Sequence, residues 1–298
     1  MKARTFRSFA KVNLGLEVVG ELPDGYHELK TVFATLSLHD EVEIAEARGG
    51  ITVRCDHKDV PQDESNIAHR AAALMQRLSG RKSGVSIAIR KRIAPGGGLG
   101  GGSSNAATVL RALDRIWKLG LSEGELVEAA KSLGADVPYF LVGGLALGLG
   151  RGDDIHPLNM ALPQRVLLIQ GPGGVSTAAV FQQFAAPKTK PTARSRIDEF
   201  LKGSAPVSSL RNDLEPAALL VSPTLARVAR RIRRVARESG ALKALMSGSG
   251  SSFFMLFGDV AARQAAATAL SGVGIESLPC AFLTGRAFHD RFEIAVKS

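Results

Sequence analysis

Ala94-Pro95-Gly96-Gly97-Gly98-Leu99-Gly100-Gly101-Gly102-Ser103-Ser104-Asn105-Ala106-Ala107 is the stretch from which the rest of the chain is read. Six glycines enclose one leucine, two serines follow, and an apolar-periodic segment with Val109, Leu110, Leu113, Ile116 and Trp117 takes over. Before the run, Val85–Ile93 has the composition of a strand. Glycine backbone reaches φ > 0 and lets a ligand come close to the main chain. A loop of this kind opening a helix presents N–H groups at the helix's positive end, which favours phosphate. The expected unit is therefore a strand, a polyphosphate cradle over Ala94–Ser104 and a helix over Ser104–Leu119.

Other glycine loops fit less well. A Walker loop needs Lys directly after its last glycine, and Ser103 stands there. Gly96, Gly98 and Gly101 satisfy the letters of the dinucleotide fingerprint, but so dense a glycine run satisfies almost any such pattern. That fingerprint also expects an acidic residue ending a second strand about twenty positions on, whereas Asp114 lies inside the helical stretch. A flexible linker would have polar flanks; these flanks are a strand and an apolar helix.

The 298 residues suffice for one large or two ordinary domains. No apolar run approaches membrane-spanning length, and Lys11 interrupts the N-terminal apolar stretch, so no signal peptide and no membrane partner are expected. Cys55 and Cys280 are far apart and form no metal-ligand pattern, and the six histidines are scattered. A reducing, cytoplasmic location and no protein-held transition metal are expected.

A net charge of +10 raises the question of nucleic acid. Its densest source is Arg227, Arg230, Arg231, Arg233, Arg234 and Arg237, interleaved at helical spacing with Leu225, Val228, Ala229, Ile232, Val235 and Ala236. That pattern is one amphipathic helix with a solvated basic face. It carries no aromatic residue for base stacking, so no nucleic-acid partner is expected.

Along the chain, strands are expected over Phe6–Leu22, Glu28–Leu38 and Glu41–Arg54, with a turn at Pro23-Asp24-Gly25. A helix runs from Ser65-Asn66-Ile67 to Leu78, and another follows the capping box Ser122–Glu125 and ends at Leu133, with Gly134 as its C′ residue. Asp136-Val137-Pro138 opens a short helix, and a strand follows Gly143. A Pro-bearing connection near Ile155–Pro163 is the expected domain boundary, dividing 1–160 from 161–298. Beyond it come strand Arg165–Gln170, a polar loop Lys188–Arg196, helix Pro223–Gly240 with strand Ser252–Phe257, and helix Val260–Leu270 with strand Phe282–Arg286. The second half reads β-α-α-β-α-β, a ferredoxin-like α+β pattern.

Three segments, in order over nearly the full length, resemble the GHMP small-molecule kinases: Phe9-Ala10-Lys11-Val12-Asn13-Leu14-Gly15-Leu16, the glycine loop Gly96–Ser104, and Met246-Ser247-Gly248-Ser249-Gly250-Ser251-Ser252. Pro23-Asp24-Gly25-Tyr26-His27-Glu28-Leu29, Ser65-Asn66, Gly134–Pro138 and Arg211-Asn212-Asp213-Leu214-Glu215 resemble the members that act on a cytidine-diphosphate-linked polyol. Two local departures stand out: Ala94 where the family often has Pro, and Ser8-Phe9 ahead of Ala10-Lys11.

The resemblance implies an α+β fold of two domains, an N-terminal β/α ATP-binding domain and a C-terminal ferredoxin-like domain. It implies ATP as co-substrate and a small-molecule alcohol as acceptor. Asp136 would accept the alcohol proton and also touch the substrate, with Lys11 beside it; a carboxylate capping its own helix is the plainer reading of Asp136. Asn13, Tyr26 and His27 would bind the acceptor, the last two at its cytosine. Asn66 and the loop residues Ala94, Pro95, Gly96, Gly97, Gly98, Leu99, Gly100, Gly101, Gly102, Ser103 and Ser104 would bind ATP. No Asp/Glu pair suggests a metal site, so Mg²⁺ is expected to be carried mainly by ATP and water, with help from the Ser104 hydroxyl.

Overall fold

Two long strands, β1 (Arg4–Glu21) and β2 (His27–Ala47), pair antiparallel and carry the rest of the molecule. The computed structural model describes residues 3–163, 165–171, 175–184 and 194–294. The two expected strands Glu28–Leu38 and Glu41–Arg54 are one continuous β2 followed by a short β3 (Ile51–Cys55). Helix α1 (Ile67–Ser79) and strand β4 (Gly84–Arg90) come next, and β3 lies parallel to β4.

Helix α2 (Gly101–Trp117) starts three residues before the expected Ser104, so the last two glycines of the run form its first turn. Helix α3 (Glu123–Leu133) has the expected capping box, but Gly134 after it is extended (φ 164°) rather than left-handed. Helix α4 (Tyr139–Val142) leads to β5 (Leu145–Leu149) and β6 (Asp154–Leu158), which form a hairpin on β2. Strand β6 thus occupies the first half of the expected Pro-bearing connection.

The second sheet begins at β7 (Arg165–Ile169). Helices α5 (Thr177–Gln183), α6 (Arg196–Leu201), α7 (Glu215–Val221) and α8 (Pro223–Glu238) lead to β8 (Lys243–Met246) and β9 (Phe253–Phe257). Helix α9 (Val260–Ser271) and strand β10 (Leu278–Cys280) follow. The strand order β10-β7-β9-β8 is antiparallel throughout, the ferredoxin-like arrangement. The sequence reading lacked β8 and placed the last strand at Phe282–Arg286. There the chain instead enters helix α10 (Gly285–Asp290), capped by the Thr284 side chain on the Ala287 N–H. The final strand β11 (Glu293–Ile294) returns to the first sheet beside β1. Most of the expected loop Lys188–Arg196 lies outside the described residues; Ser195 caps α6.

Alternation along the strands explains how the two sheets meet. Ala10, Val12 and Leu14 of β1 and Val32, Ala34 and Leu36 of β2 join Val166, Leu168, Phe254 and Leu256 in a core between the sheets. Leu167, Ile169, Phe253, Met255 and Phe257 face the other way, onto Leu225, Ala229, Ile232 and Val235 of α8 and Ala266 and Leu270 of α9. Every residue of β9 is buried because both its faces are covered. Lys11 and Asn13 alternate with the inter-sheet residues and stand beside Thr31 and Phe33 at the wall of a cleft.

Candidate active site

The cleft has a volume of about 540 Å³ and is bounded by β1, β2, the glycine loop, the turn at Ala135-Asp136 and the 247–252 loop. Loop conformation follows from its glycines. Gly96, Gly98 and Gly100 have φ of 68°, 74° and 69°, left-handed values that L side chains adopt at a cost. A Cβ on Gly98 would lie 2.2 Å from the Ser247 carbonyl oxygen, and one on Gly100 would lie 2.7 Å from Phe140 Cζ.

Gly100 is the N-cap of α2 and supplies no side-chain cap, and no acidic residue stands in the first turn. The helix's positive end therefore meets the cleft with no anion of its own. The ends of the loop are tied by Asp40, which is fully buried. Its carboxylate accepts from the N–H groups of Arg92 (2.8 Å) and Ile93 (2.9 Å), from Lys91 Nζ (2.6 Å) and from Asn105 Nδ2 (3.0 Å).

Both local departures have structural uses. The Ala94 N–H, which proline would lack, donates to Gln170 Oε1 at 2.6 Å and joins the loop's lead-in to β7. Ser8 Oγ bonds Ser104 Oγ and accepts from Asn105 Nδ2, both at 2.8 Å, while Phe9 packs against Phe288 and His39.

Lys11 is held on every side. Its backbone N–H donates to the Leu99 carbonyl at 3.0 Å, joining β1 to the glycine loop. Its ammonium donates to Asn13 Oδ1 at 2.8 Å, lies 5.3 Å from the Phe33 ring centroid, and sits 3.3 Å from Asp136 Oδ2. A buried ammonium needs such partners. Asn13 is fixed in turn by Thr31 Oγ1, which accepts from its Nδ2 at 2.8 Å. Asp136 lies in the turn before α4, whose N-cap is Pro138, so the carboxylate does not cap that helix. Its side chain is 37 % exposed and Lys11's is 4 % exposed.

The 247–252 loop closes the cleft from the second sheet. Ser247 Oγ donates to the Gly98 carbonyl at 2.9 Å, and the Ser252 N–H donates to the Gly97 carbonyl at 3.0 Å. Asn212 Nδ2 holds this loop through the carbonyls of Met246 (2.9 Å) and Gly248 (2.7 Å).

The remaining expected residues divide. Ala94 through Ser103 line the cleft, as do Lys11, Asn13 and Asp136. Ser104 does not: it is 2 % exposed and turned to Ser8. Asn66 caps α1 through the Ala68 N–H (2.8 Å), and its neighbour Ile67 lines the cleft instead. Tyr26 is 60 % exposed, and its ring lies 4.2 Å from the guanidinium carbon of Arg151, a cleft residue. Arg151 also pairs with Asp24, whose acidity is raised by the Tyr26 N–H and then by Arg151. His27 stacks on Phe181 at 5.1 Å, and Phe181 reaches the cleft. Sequence reasoning missed Thr31, Phe33, Arg151 and Phe181, none of which stands in a recognisable motif. Among the described residues no cluster of three or more His, Cys, Asp or Glu side chains could hold a metal ion.

A glycine cradle at a helix N-terminus, with a buried lysine and an accessible carboxylate across it, is the equipment of a small-molecule kinase of the GHMP class. Residues 66–144 match the GHMP kinases N terminal domain, and residues 198–275 match the GHMP kinases C terminal. The 4-diphosphocytidyl-2-C-methyl-D-erythritol kinase of Pelotomaculum thermopropionicum is 40% identical over 265 residues, 87% of this chain and 91% of that one. The protein of the same name from a Geobacter species is 42% identical over 275 residues, 90% and 94% of the two chains. A crystal structure of 4-(cytidine 5'-diphospho)-2C-methyl-D-erythritol kinase superposes with a TM-score of 0.76 at 34% identity, covering 94% of this chain and 99% of that one. Homoserine kinase from Cytophaga hutchinsonii shares the fold, with a TM-score of 0.71 at 19% identity over 96% of this chain and 97% of that one. The chain belongs to the 4-diphosphocytidyl-2-C-methyl-D-erythritol kinase family.

Proposed function

We propose that this chain transfers the γ-phosphoryl group of ATP to the 2-hydroxyl of 4-diphosphocytidyl-2-C-methyl-D-erythritol, in the non-mevalonate route to isoprenoid precursors. The observation that carries the reading is the Lys11–Asp136 pair, 3.3 Å apart, in the same cleft as the uncapped N-terminus of α2. Transfer of this kind needs positioning and charge stabilisation more than covalent help. The glycine loop and the first turn of α2 hold the triphosphate through backbone N–H groups. Asp136 accepts the hydroxyl proton, the freed oxygen bonds to the γ-phosphorus, and the bond to the β-phosphate oxygen breaks to release ADP. Lys11 orients the Asp136 carboxylate and neutralises charge on the transferring group.

Mg²⁺ comes with ATP as part of the substrate and spreads the phosphate charge. The Ser103 hydroxyl and the Asp136 carboxylate are two of the oxygen donors that line the cleft. The cytosine end lies toward Arg151, Tyr26, His27 and Phe181, where rings and a guanidinium supply stacking surfaces. The division of the chain near residue 160 is part of this reading, with α10 and β11 returning to the N-terminal unit.

The test is ADP release by the purified chain with ATP and, in separate reactions, the cytidine-diphosphate polyol, homoserine or mevalonate. Turnover with the first alone is expected, and turnover with another acceptor in its place overturns the assignment.

A further inference from the structure

We propose that a cavity between α3, α4 and α10 is a second binding site, one that takes a small monocarboxylate with a short apolar tail. The cavity has a volume of about 480 Å³ and shares no lining residue with the catalytic cleft. That size suits a small ligand. Leu126 and Val127 of α3, Leu141 of α4, and Leu145 and Leu158 supply apolar walls.

One wall is a cation. Arg111 of α2 is only 9 % exposed. Its guanidinium lies 3.9 Å from the Phe292 ring centroid and 5.3 Å from that of Phe288, which fixes its plane. Nη2 donates to His289 Nδ1 at 2.9 Å, while Nη1 is buried with no partner among the described residues. No carboxylate of the described residues pairs with it, and its charged neighbour Arg115 is also positive. Burial, with Arg115 adding to it, pushes Arg111 down only to about 10, so the group is charged at neutral pH. His289 offers no compensation: burial first, then Arg111, lowers its pKa, and its ring also bonds the Val142 backbone.

A buried charge without a counter-charge is costly, and so is a buried N–H without an acceptor. A carboxylate in the cavity supplies the missing counter-charge, and a charge-assisted bond to a guanidinium is among the stronger hydrogen bonds. The apolar walls then take the tail. A dianion suits the site less well, because a single guanidinium faces it and Glu123, an exposed residue, also lines the cavity.

The full chain is titrated with 4-methylpentanoate by calorimetry and by NMR of the histidine rings. One saturable equivalent is expected, with the His289 signal shifting. 4-Methylpentan-1-ol and inorganic phosphate at equal concentration are expected not to saturate. Arg111→Gln should weaken carboxylate binding at least about tenfold, the scale of a lost charge-assisted bond. Val127→Trp, at a partly buried position on the cavity wall, should fill the space and abolish binding with melting temperature and ADP release unchanged. This second variant decides the matter should Arg111→Gln fail to fold. The proposal is overturned by absence of saturation, by equal binding of the alcohol, or by wild-type binding in a folded Val127→Trp protein.

Discussion

Lys11 Nζ and Asp136 Oδ2 are 3.3 Å apart, the lysine buried in the wall of the cleft and the carboxylate open to it. The cationic end of the pair is fixed by Asn13 and Phe33. The anionic end is left with an oxygen for an incoming hydroxyl. That asymmetry is what a general base needs: a set orientation and access to its proton donor.

Replacing the proposed base removes its proton acceptor without touching the cradle. Asp136→Asn is expected to lower kcat by roughly 10²–10⁴-fold while ATP still binds. Single-turnover kinetics and nucleotide calorimetry on the folded variant check this; retention of most of the turnover removes Asp136 from the role.

The glycine loop separates strain from contact. Gly100→Val puts a β-branched side chain at φ 69° and against Phe140, so ATP affinity and melting temperature should both fall. Gly102 lies in the first turn of α2, its φ is not positive, and a Cβ there would meet only Ile67, at 3.6 Å. Gly102→Ala should therefore keep or raise the melting temperature, by up to about 1 kcal/mol of helix propensity. A loss of ATP affinity in that variant reports phosphate lying against the backbone; unchanged affinity places the phosphates elsewhere.

Tyr26, exposed and covered on one side by Arg151, is assigned to the cytosine end. Loss of one base-stacking contact costs about 1–3 kcal/mol, so Tyr26→Ala should weaken acceptor binding roughly 5- to 150-fold. ATP affinity should barely change. Separate titrations decide the point, and weakening toward ATP alone assigns Tyr26 to the other pocket.

Asn212 does not itself line the cleft, yet it anchors the 247–252 loop through two carbonyls. Asn212→Leu leaves those carbonyls without their donor, at a cost of about 1–3 kcal/mol for each group left unsatisfied. A lower melting temperature and a raised KM for ATP are expected together, because the same loop braces Gly97 and Gly98. A KM unchanged at a temperature where the variant is folded separates the loop from nucleotide binding.

Glu293 on β11 receives two bonds of 2.7 Å from Arg4 on β1, and the Arg4 hydrogen bond is the main cause of its lowered pKa. A carboxylate whose folded pKa is depressed stabilises the fold above its unfolded value, here 4.5. That stability is lost as pH falls through the lower folded value. The pair is partly solvated, so its worth is on the order of 1 kcal/mol or less. Glu293→Gln should melt slightly below the wild type at pH 7, with the difference closing as pH drops below about 4.5. A constant difference across that range rules out the pairing as its source.

The parts of this protein legible in its sequence are those whose conformation is local. The glycine run, the capping box at Ser122 and the helix start at Ser222 each carry their geometry in a few neighbouring residues. Where the reading failed, the signal was weak or contested. Lys243–Met246 is a four-residue strand without β-branched residues, and it forms by pairing with β9. Thr284 opens α10 although the apolar Phe282-Leu283 before it suggests a strand. Asn66 and Ser104, both in motif segments, are spent on a helix cap and on a buried hydroxyl pair.

Sequence alone determined the cradle, because positive φ at glycine and the polarity of a helix N-terminus need no distant partner. Only the tertiary structure decided what faces it. Lys11 and Asp136 are brought together by the position of a lysine on β1 and by a turn between α3 and α4. Arg151 meets Tyr26, and Asn212 holds Gly248, for the same kind of reason. Contacts between residues far apart in the chain depend on strand register and on how two sheets pack, and the buried faces that fix both belong to the whole fold.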